Sequence, residues 1–185
     1  MRTLSSFTQL SLNGCYADAR SDLGWAYQNA DQEWNDWVAG NAGGGGMLLF
    51  GRTTYEMMIK WWPTPEAIKQ MPAVANPMNA MPKVVFSRTM DKATWNNTRV
   101  VKDLVGGVEK LKSETGPDMV ILGSGSIVAQ LAQEQLIDGF QFVINPVALG
   151  RGKQIFAGVK DNVALRLTKT QQFGNGNVVL WYERK

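Results

Sequence analysis

Two glycine-anchored phrases carry the residues best suited to chemistry: Leu48-Leu49-Phe50-Gly51-Arg52-Thr53-Thr54-Tyr55-Glu56 and, further on, Val120-Ile121-Leu122-Gly123-Ser124-Gly125-Ser126-Ile127. Each reads as an apolar strand that runs into glycine and then into a helix. A helix start presents several N–H groups without carbonyl partners and the positive end of the backbone dipole, a combination that attracts phosphate. Arg52 directly follows the first glycine, where a planar cation with several donors grips a phosphate at two points. Ser87-Arg88 repeats that chemistry at the end of another apolar run, Val84 to Ser87. Several such ends on one sheet would hold a dinucleotide, because ligands of open α/β sheets bind beyond the carboxyl ends of the strands. Taken singly, each signal has a plainer counterpart: a glycine turn needs no ligand, and a lone arginine is as well explained by solvent or a surface salt bridge.

What is missing narrows the chemistry further. The chain has no histidine and a single cysteine, Cys15, which removes Ser-His-Asp and Cys-His triads, H-E-x-x-H zinc sites and any internal disulfide. Gly43 to Gly46 lacks the Gly-Lys-Ser/Thr ending of a P-loop, and the sixth position of a G-x-G-x-x-G fingerprint begun at Gly123 is Val128, so neither NTP hydrolysis nor a Rossmann fold is favoured. Nineteen basic against sixteen acidic residues give a net charge of +3, scattered rather than gathered into a stripe. This argues against nucleic acid and suits a phosphorylated small molecule. No apolar run has the length of a signal peptide or a membrane span, so the expected location is cytoplasmic.

These side chains need a scaffold, and 185 residues with 44% apolar content suffice for one domain, 1–185, with a substantial core. Leu4 to Leu12 reads as a first strand, closed by the Asn13-Gly14 turn. Asp31 is a candidate N-cap for a helix over about 31–39, with Trp34, Trp37 and Val38 at helical spacing. Asp31, Glu33 or Asp36 is a candidate proton donor, although acids at a helix start are more simply charges that favour the dipole. Met47 to Phe50 and Met119 to Leu122 have the pattern of strands buried on both faces. The stretch from Trp62 to Pro82, with five prolines, is expected to be an irregular surface excursion serving substrate or a partner. Further strands are expected at 84–87 and 99–101, and helices at 104–111 and 126–135. The end of the chain is expected to be β, over 140–147, 163–170 and 178–182, so a mostly parallel sheet closes with an antiparallel hairpin.

The order of these pieces resembles the dihydrofolate reductase-like superfamily, and within it the C-terminal reductase domain of the bifunctional deaminase-reductase of riboflavin biosynthesis. Ser11-Leu12-Asn13-Gly14 is similar to that family's S-L-D-G turn. Leu49-Phe50-Gly51-Arg52-Thr53-Thr54-Tyr55-Glu56 is similar to its L-G-R-x-T-Y-E phrase, and Leu122-Gly123-Ser124-Gly125-Ser126 to its later glycine turn. Leu136-Ile137-Asp138-Gly139 and Ile144-Asn145-Pro146-Val147-Ala148-Leu149-Gly150-Arg151-Gly152 also resemble the family's strand and turn. The resemblance implies an α/β fold with a mostly parallel, central eight-stranded sheet, flanking helices and an antiparallel C-terminal hairpin, and it implies NADPH as cofactor. By the same resemblance Gly51, Arg52, Thr53, Thr54, Ser87 and Arg88 would embrace the adenosine 2′-phosphate. Gly123, Ser124, Gly125, Ser126 and Ile127 would support the pyrophosphate, and Thr8 and Gln9 would lie beneath the nicotinamide. A non-proline cis peptide is implied at Gly123-Ser124. The implied activity is reduction of a small heterocycle, as in the pyrimidine-reducing step of riboflavin biosynthesis, with Asp31 as candidate catalytic acid. The Met- and Trp-rich stretch from Trp61 to Met81 offers apolar surface to a partner, so a homodimer is the expected assembly. The alternatives are a dihydrofolate reductase-type activity and a non-catalytic NADPH-binding module. Asn13 stands where the family has aspartate, and Leu122 where riboflavin reductases carry glutamate.

Overall fold

The computed structural model describes residues 1–185. Ten strands occur: β1 (Leu4–Ser11), β2 (Cys15–Asp18), β3 (Met47–Gly51), β4 (Lys83–Phe86), β5 (Thr98–Val101), β6 (Met119–Leu122), β7 (Gly139–Asn145), β8 (Gly152–Gln154), β9 (Leu165–Gln172) and β10 (Val178–Arg184). Eight of them form one sheet in the order β5-β4-β3-β6-β1-β7-β10-β9, and β2 pairs with β8 in a separate ribbon. The pairs from β5 across to β7 are all parallel, while β7–β10 and β10–β9 are antiparallel. β10 alone therefore runs against the others. One border of the sheet collects the carboxyl ends of β4, β3, β6, β1 and β7 together with the start of β10.

Helices cover both faces. α1 (Gln32–Ala42), α2 (Arg52–Met58), α3 (Pro65–Gln70) and α4 (Pro72–Ala80) lie on one side, and α5 (Val105–Ser113) and α6 (Gly125–Gln133) on the other. The two apolar runs behave as strands buried on both faces: Leu49 and Val84 enter the core under α5 and α6, while Leu48, Phe50 and Val85 pack with Tyr55, Val74 and Met78 opposite. Ile127, Val128 and Leu131 pin α6 to the sheet, and burying each such side chain is worth about 1.5–3 kcal/mol. Its N-terminus is thereby held at the common border. No helix is long and apolar enough to cross a membrane.

The stretch from Trp62 to Pro82 is not the irregular excursion expected from its prolines. Pro65 and Pro72 each stand in the first turn of a helix, where the missing N–H has no intrahelical partner to lose and the fixed φ suits the helix. Thr64 caps α3 by accepting from Ala67 N at 3.1 Å. Val74, Ala75 and Met78 point inward, so the apolar content of this stretch belongs to the core, while Trp61 and Ile68 remain exposed. The β2–β8 ribbon was not foreseen either. Its strands are short and pair residues more than 130 positions apart, a separation that leaves no local signature.

Candidate functional site

Three adjacent strand ends are physically joined. Where β3 finishes, the Gly51 N–H donates to Ser124 Oγ at 3.0 Å, linking positions 73 residues apart. Gly51 then caps α2, and Arg52 is that helix's first residue. The Arg52 guanidinium donates to Glu56 Oε1 at 2.7 Å and to Thr89 Oγ1 at 2.9 Å, so it reaches across to the loop after β4. There Ser87 Oγ accepts from Met90 N at 3.0 Å, shaping the turn that presents Arg88. Arg88 is exposed and enters none of the chain's ion pairs. Lys102, just after β5, donates to Asp91 Oδ1 at 2.9 Å and to Met90 O. That hydrogen bond and the ammonium charge hold the Asp91 carboxyl below the usual carboxylate range. Arg52 and Lys102 are thus each paired with a carboxylate, and Lys102 also reaches the carbonyl of Arg88. Thr89 and Lys102 were not singled out from sequence; their place beside Ser87-Arg88 and at the end of a strand was the available signal.

The glycine turn after β6 reverses the chain without the expected cis peptide. All peptide bonds are trans; Gly123 and Ser124 instead take consecutive left-handed conformations, with φ of +63° and +51°. For serine that conformation is uncommon and costs on the order of 1–2 kcal/mol, which the Ser124 hydroxyl offsets through its bond to Gly51 N. Thr54 packs on Gly123, its Cγ2 lying 3.4 Å from where a Cβ would stand. Gly125 has no room for a side chain, because a Cβ there would lie 2.3 Å from the Tyr16 ring. Tyr16, on β2, is therefore a wall of this turn, and burial pushes its phenol pKa up. Ser126 is exposed and Ile127 is buried beneath it.

Alternation along β1 separates the other expected pair. Thr8 shares the face of Leu4 and Leu10, toward α5 and α6, while Gln9 shares the face of Phe7, toward α1. Thr8 is 1% exposed and its hydroxyl has no partner. Gln9 Oε1 accepts from Asn145 Nδ2 at 3.0 Å. On the α1 side, Trp34 and Trp37 stack at 4.9 Å and Phe173 meets Trp34 edge-on at 5.0 Å, making an aromatic floor. Asp31 caps α1 by accepting from Trp34 N at 2.8 Å, and Glu33 accepts from Gly174 N at 3.0 Å. Both carboxylates are thus engaged by backbone; Asp36 is exposed and accepts from Gln32 Nε2. No group of three or more His, Cys, Asp or Glu side chains is placed to hold a metal ion. A surface depression of about 320 Å³ between Ile59, Ile68, Asn79 and Trp95 lies away from this border.

The residues present suit a phosphorylated dinucleotide: a glycine cradle at a helix start, an unpaired guanidinium and an orphaned hydroxyl share one border. Comparison with known proteins gives the family and the fold. A family model described as the RibD C-terminal domain matches residues 2–179. The chain is 25% identical over 173 residues to the uncharacterized protein YyaP of Bacillus subtilis (strain 168), covering 94% of this chain and 90% of that protein. A shorter stretch of 75 residues is 37% identical to the uncharacterized protein YwjB of the same organism, covering 40% of this chain and 42% of that one. Among solved structures, a putative riboflavin biosynthesis protein from Shewanella sp. PV-4 matches with a TM-score of 0.75 at 22% identity over 99% of both chains. The bifunctional diaminohydroxyphosphoribosylaminopyrimidine deaminase/5-amino-6-(5-phosphoribosylamino)uracil reductase of Thermotoga maritima matches with a TM-score of 0.70 at 13% identity, over all of this chain and 57% of that one. At these identities the structural likeness is one of fold.

Proposed function

Since the chain belongs to the RibD C-terminal domain family, we propose that it is an NADPH-dependent reductase of a small heterocyclic substrate. The observation that carries this reading is the continuous border in which Gly51 N meets Ser124 Oγ and Arg52 reaches Thr89. Arg52, Arg88 and Lys102 give the adenosine 2′-phosphate a cationic setting, with Thr53, Thr54 and Ser87 as neighbouring hydroxyls. The N–H groups of Gly125 and Ser126, which open α6, take the pyrophosphate in the cradle of Gly123 and Ser124, with Ile127 packing behind and Ser126 at the rim. When bound, the cofactor supplies the hydride. The chain's own part is to orient, to exclude water through the Tyr16 wall and the aromatic floor, and to stabilise charge, which by itself accounts for much of catalytic power in such sites. The substrate lies between the sheet border and α1, and the proton comes from water or from Asp31. A homodimer in the cytoplasm, with Trp61 and Ile68 as exposed apolar surface, belongs to the same reading.

Screening the loss of reduced-nicotinamide absorbance against pterins, oxidised pyrimidines and simple carbonyls tests it. Turnover of at least one heterocycle with NADPH is the expected result. A second reading, a non-catalytic NADPH-binding module, is favoured by Asn13, Leu122 and the engagement of Asp31 as a helix cap. It predicts tight NADPH binding with no turnover across that panel.

A further inference from the structure

Gln9 ends an amide chain whose orientation is determined by the backbone. Asn145 is 3% exposed, and its side chain lies 3.1 Å from Leu10 O and 3.3 Å from Val143 O through the same nitrogen. Both of those carbonyls can only accept, so the Asn145 atom facing them must be the NH₂ group. That same NH₂ faces Gln9 at 3.0 Å, so the Gln9 atom it meets must be the carbonyl oxygen. The Gln9 carboxamide cannot rotate by half a turn without setting two NH₂ groups against each other. Its own NH₂ therefore points away from Asn145. Gln9 is half-buried on the α1 face of β1, at the border where the substrate is proposed to lie.

We propose that Asn145 is a positioning residue which locks Gln9 as a hydrogen-bond donor toward the substrate, so that the site accepts a neutral ring presenting a carbonyl there and rejects one presenting an amino group. Buried polar recognition discriminates in this way because the wrong partner leaves a donor facing a donor, each unpaired. Asp31 and Glu33 are engaged by the backbone of α1 and of the turn after β9, so the discrimination between rings is assigned to the amides. The inference rests on the proposed function for the place of the substrate, but the lock itself stands on the hydrogen bonds of Asn145.

The test uses the full chain and a matched pair of probes, uracil and 2,4-diaminopyrimidine, titrated while the side-chain amide signals of ¹⁵N-labelled protein are followed by NMR. The Gln9 signal is assigned by its loss in Gln9→Glu. Uracil is expected to bind about tenfold tighter and to shift the Gln9 NH₂ signal, the effect of one well-placed hydrogen bond. Asn145→Leu removes the lock, leaves the Gln9 carboxamide free to turn over and narrows the difference between the two rings. Gln9→Glu keeps the acceptor that Asn145 needs, offers only oxygen outward and reverses the preference, so the proposal remains testable should Asn145→Leu fail to fold. Equal affinity for the two rings, failure of both to bind, or a preference unchanged in Gln9→Glu overturns the proposal. A separate NADPH titration of the same samples reports on the cofactor reading, so failure of one is distinguishable from failure of the other.

Discussion

The border beyond β4, β3 and β6 is charged and open, whereas the border beyond β1, β7 and β10 is lined by amides and aromatic rings, although both finish the same sheet. On the first, Arg52 is exposed and holds its place through Glu56 and Thr89, while Arg88 is exposed and enters no ion pair. On the second, Gln9 and Asn145 hold each other on the sheet face that carries the Trp34–Trp37 stack. Under the proposed function that difference divides the labour: charge on one side would grip a phosphate-bearing ligand, and hydrogen-bond direction on the other would sort a neutral ring. A single strand makes a similar contrast, since β4 begins with the buried Lys83 and leads into the exposed Arg88.

The largest expected effect strikes the charged side alone. Arg52→Ala should weaken NADPH binding about 10- to 100-fold in calorimetric titration, since a charge-assisted hydrogen bond contributes about 1.5–3 kcal/mol. NADH affinity should change far less. Equal losses for both cofactors would mean that Arg52 serves the fold rather than the 2′-phosphate.

Next comes the turn between the two regions. Gly125→Ala puts a methyl into the Tyr16 ring and should destabilise the chain by about 1–3 kcal/mol in urea unfolding. Tyr16→Ala removes the obstacle, so the double variant should be less destabilised than the sum of the singles. Strict additivity would show that the Tyr16 ring does not rest on Gly125.

Asp31 gives a smaller effect that separates capping from catalysis. Asp31→Ala should cost about 1 kcal/mol through loss of the α1 cap, while Asp31→Asn caps equally well and should leave stability within about 0.5 kcal/mol. If the Asn variant also keeps turnover, the proton comes from water; if turnover falls while stability holds, Asp31 supplies it.

The smallest effect concerns Lys83, on the structural side of the β4 contrast. Burial pushes its amine pKa down to about 8 from 10.5. The folded state thus favours the neutral amine, so stability is lowest below pH 8 and rises as the pH climbs from 8 toward 10.5. The slope should be shallow, because Met81 O, Asn79 O, Asn96 O and the face of Trp95 all support the ammonium form. Urea midpoints across this pH range in the parent chain and in Lys83→Met would show it, and a slope that persists in the variant would assign it to another group.

These contrasts also explain what could be read from the chain itself. The charged border was legible because each part is contiguous: a run of apolar residues, a glycine, then Arg52 or Ser124. The parallel sheet and its closing hairpin were legible from the same runs. The amide lock was not, because Gln9 and Asn145 lie 136 residues apart and nothing local to either says that they meet. The helices α3 and α4 were hidden by Pro65 and Pro72, since proline breaks a helix in its interior but starts one at the first turn, and by Pro77, which α4 carries inside it. The cis peptide implied at Gly123-Ser124 was a property of relatives, and here two left-handed residues and a hydroxyl make the same reversal.

Calorimetric titration of the unmodified chain with NADPH and with NADH tests the central claim most directly. Binding of NADPH at least about tenfold tighter, a difference of about 1.4 kcal/mol, is the result that a cationic border built from Arg52, Arg88 and Lys102 requires. Equal affinities, or no binding of either, would contradict it.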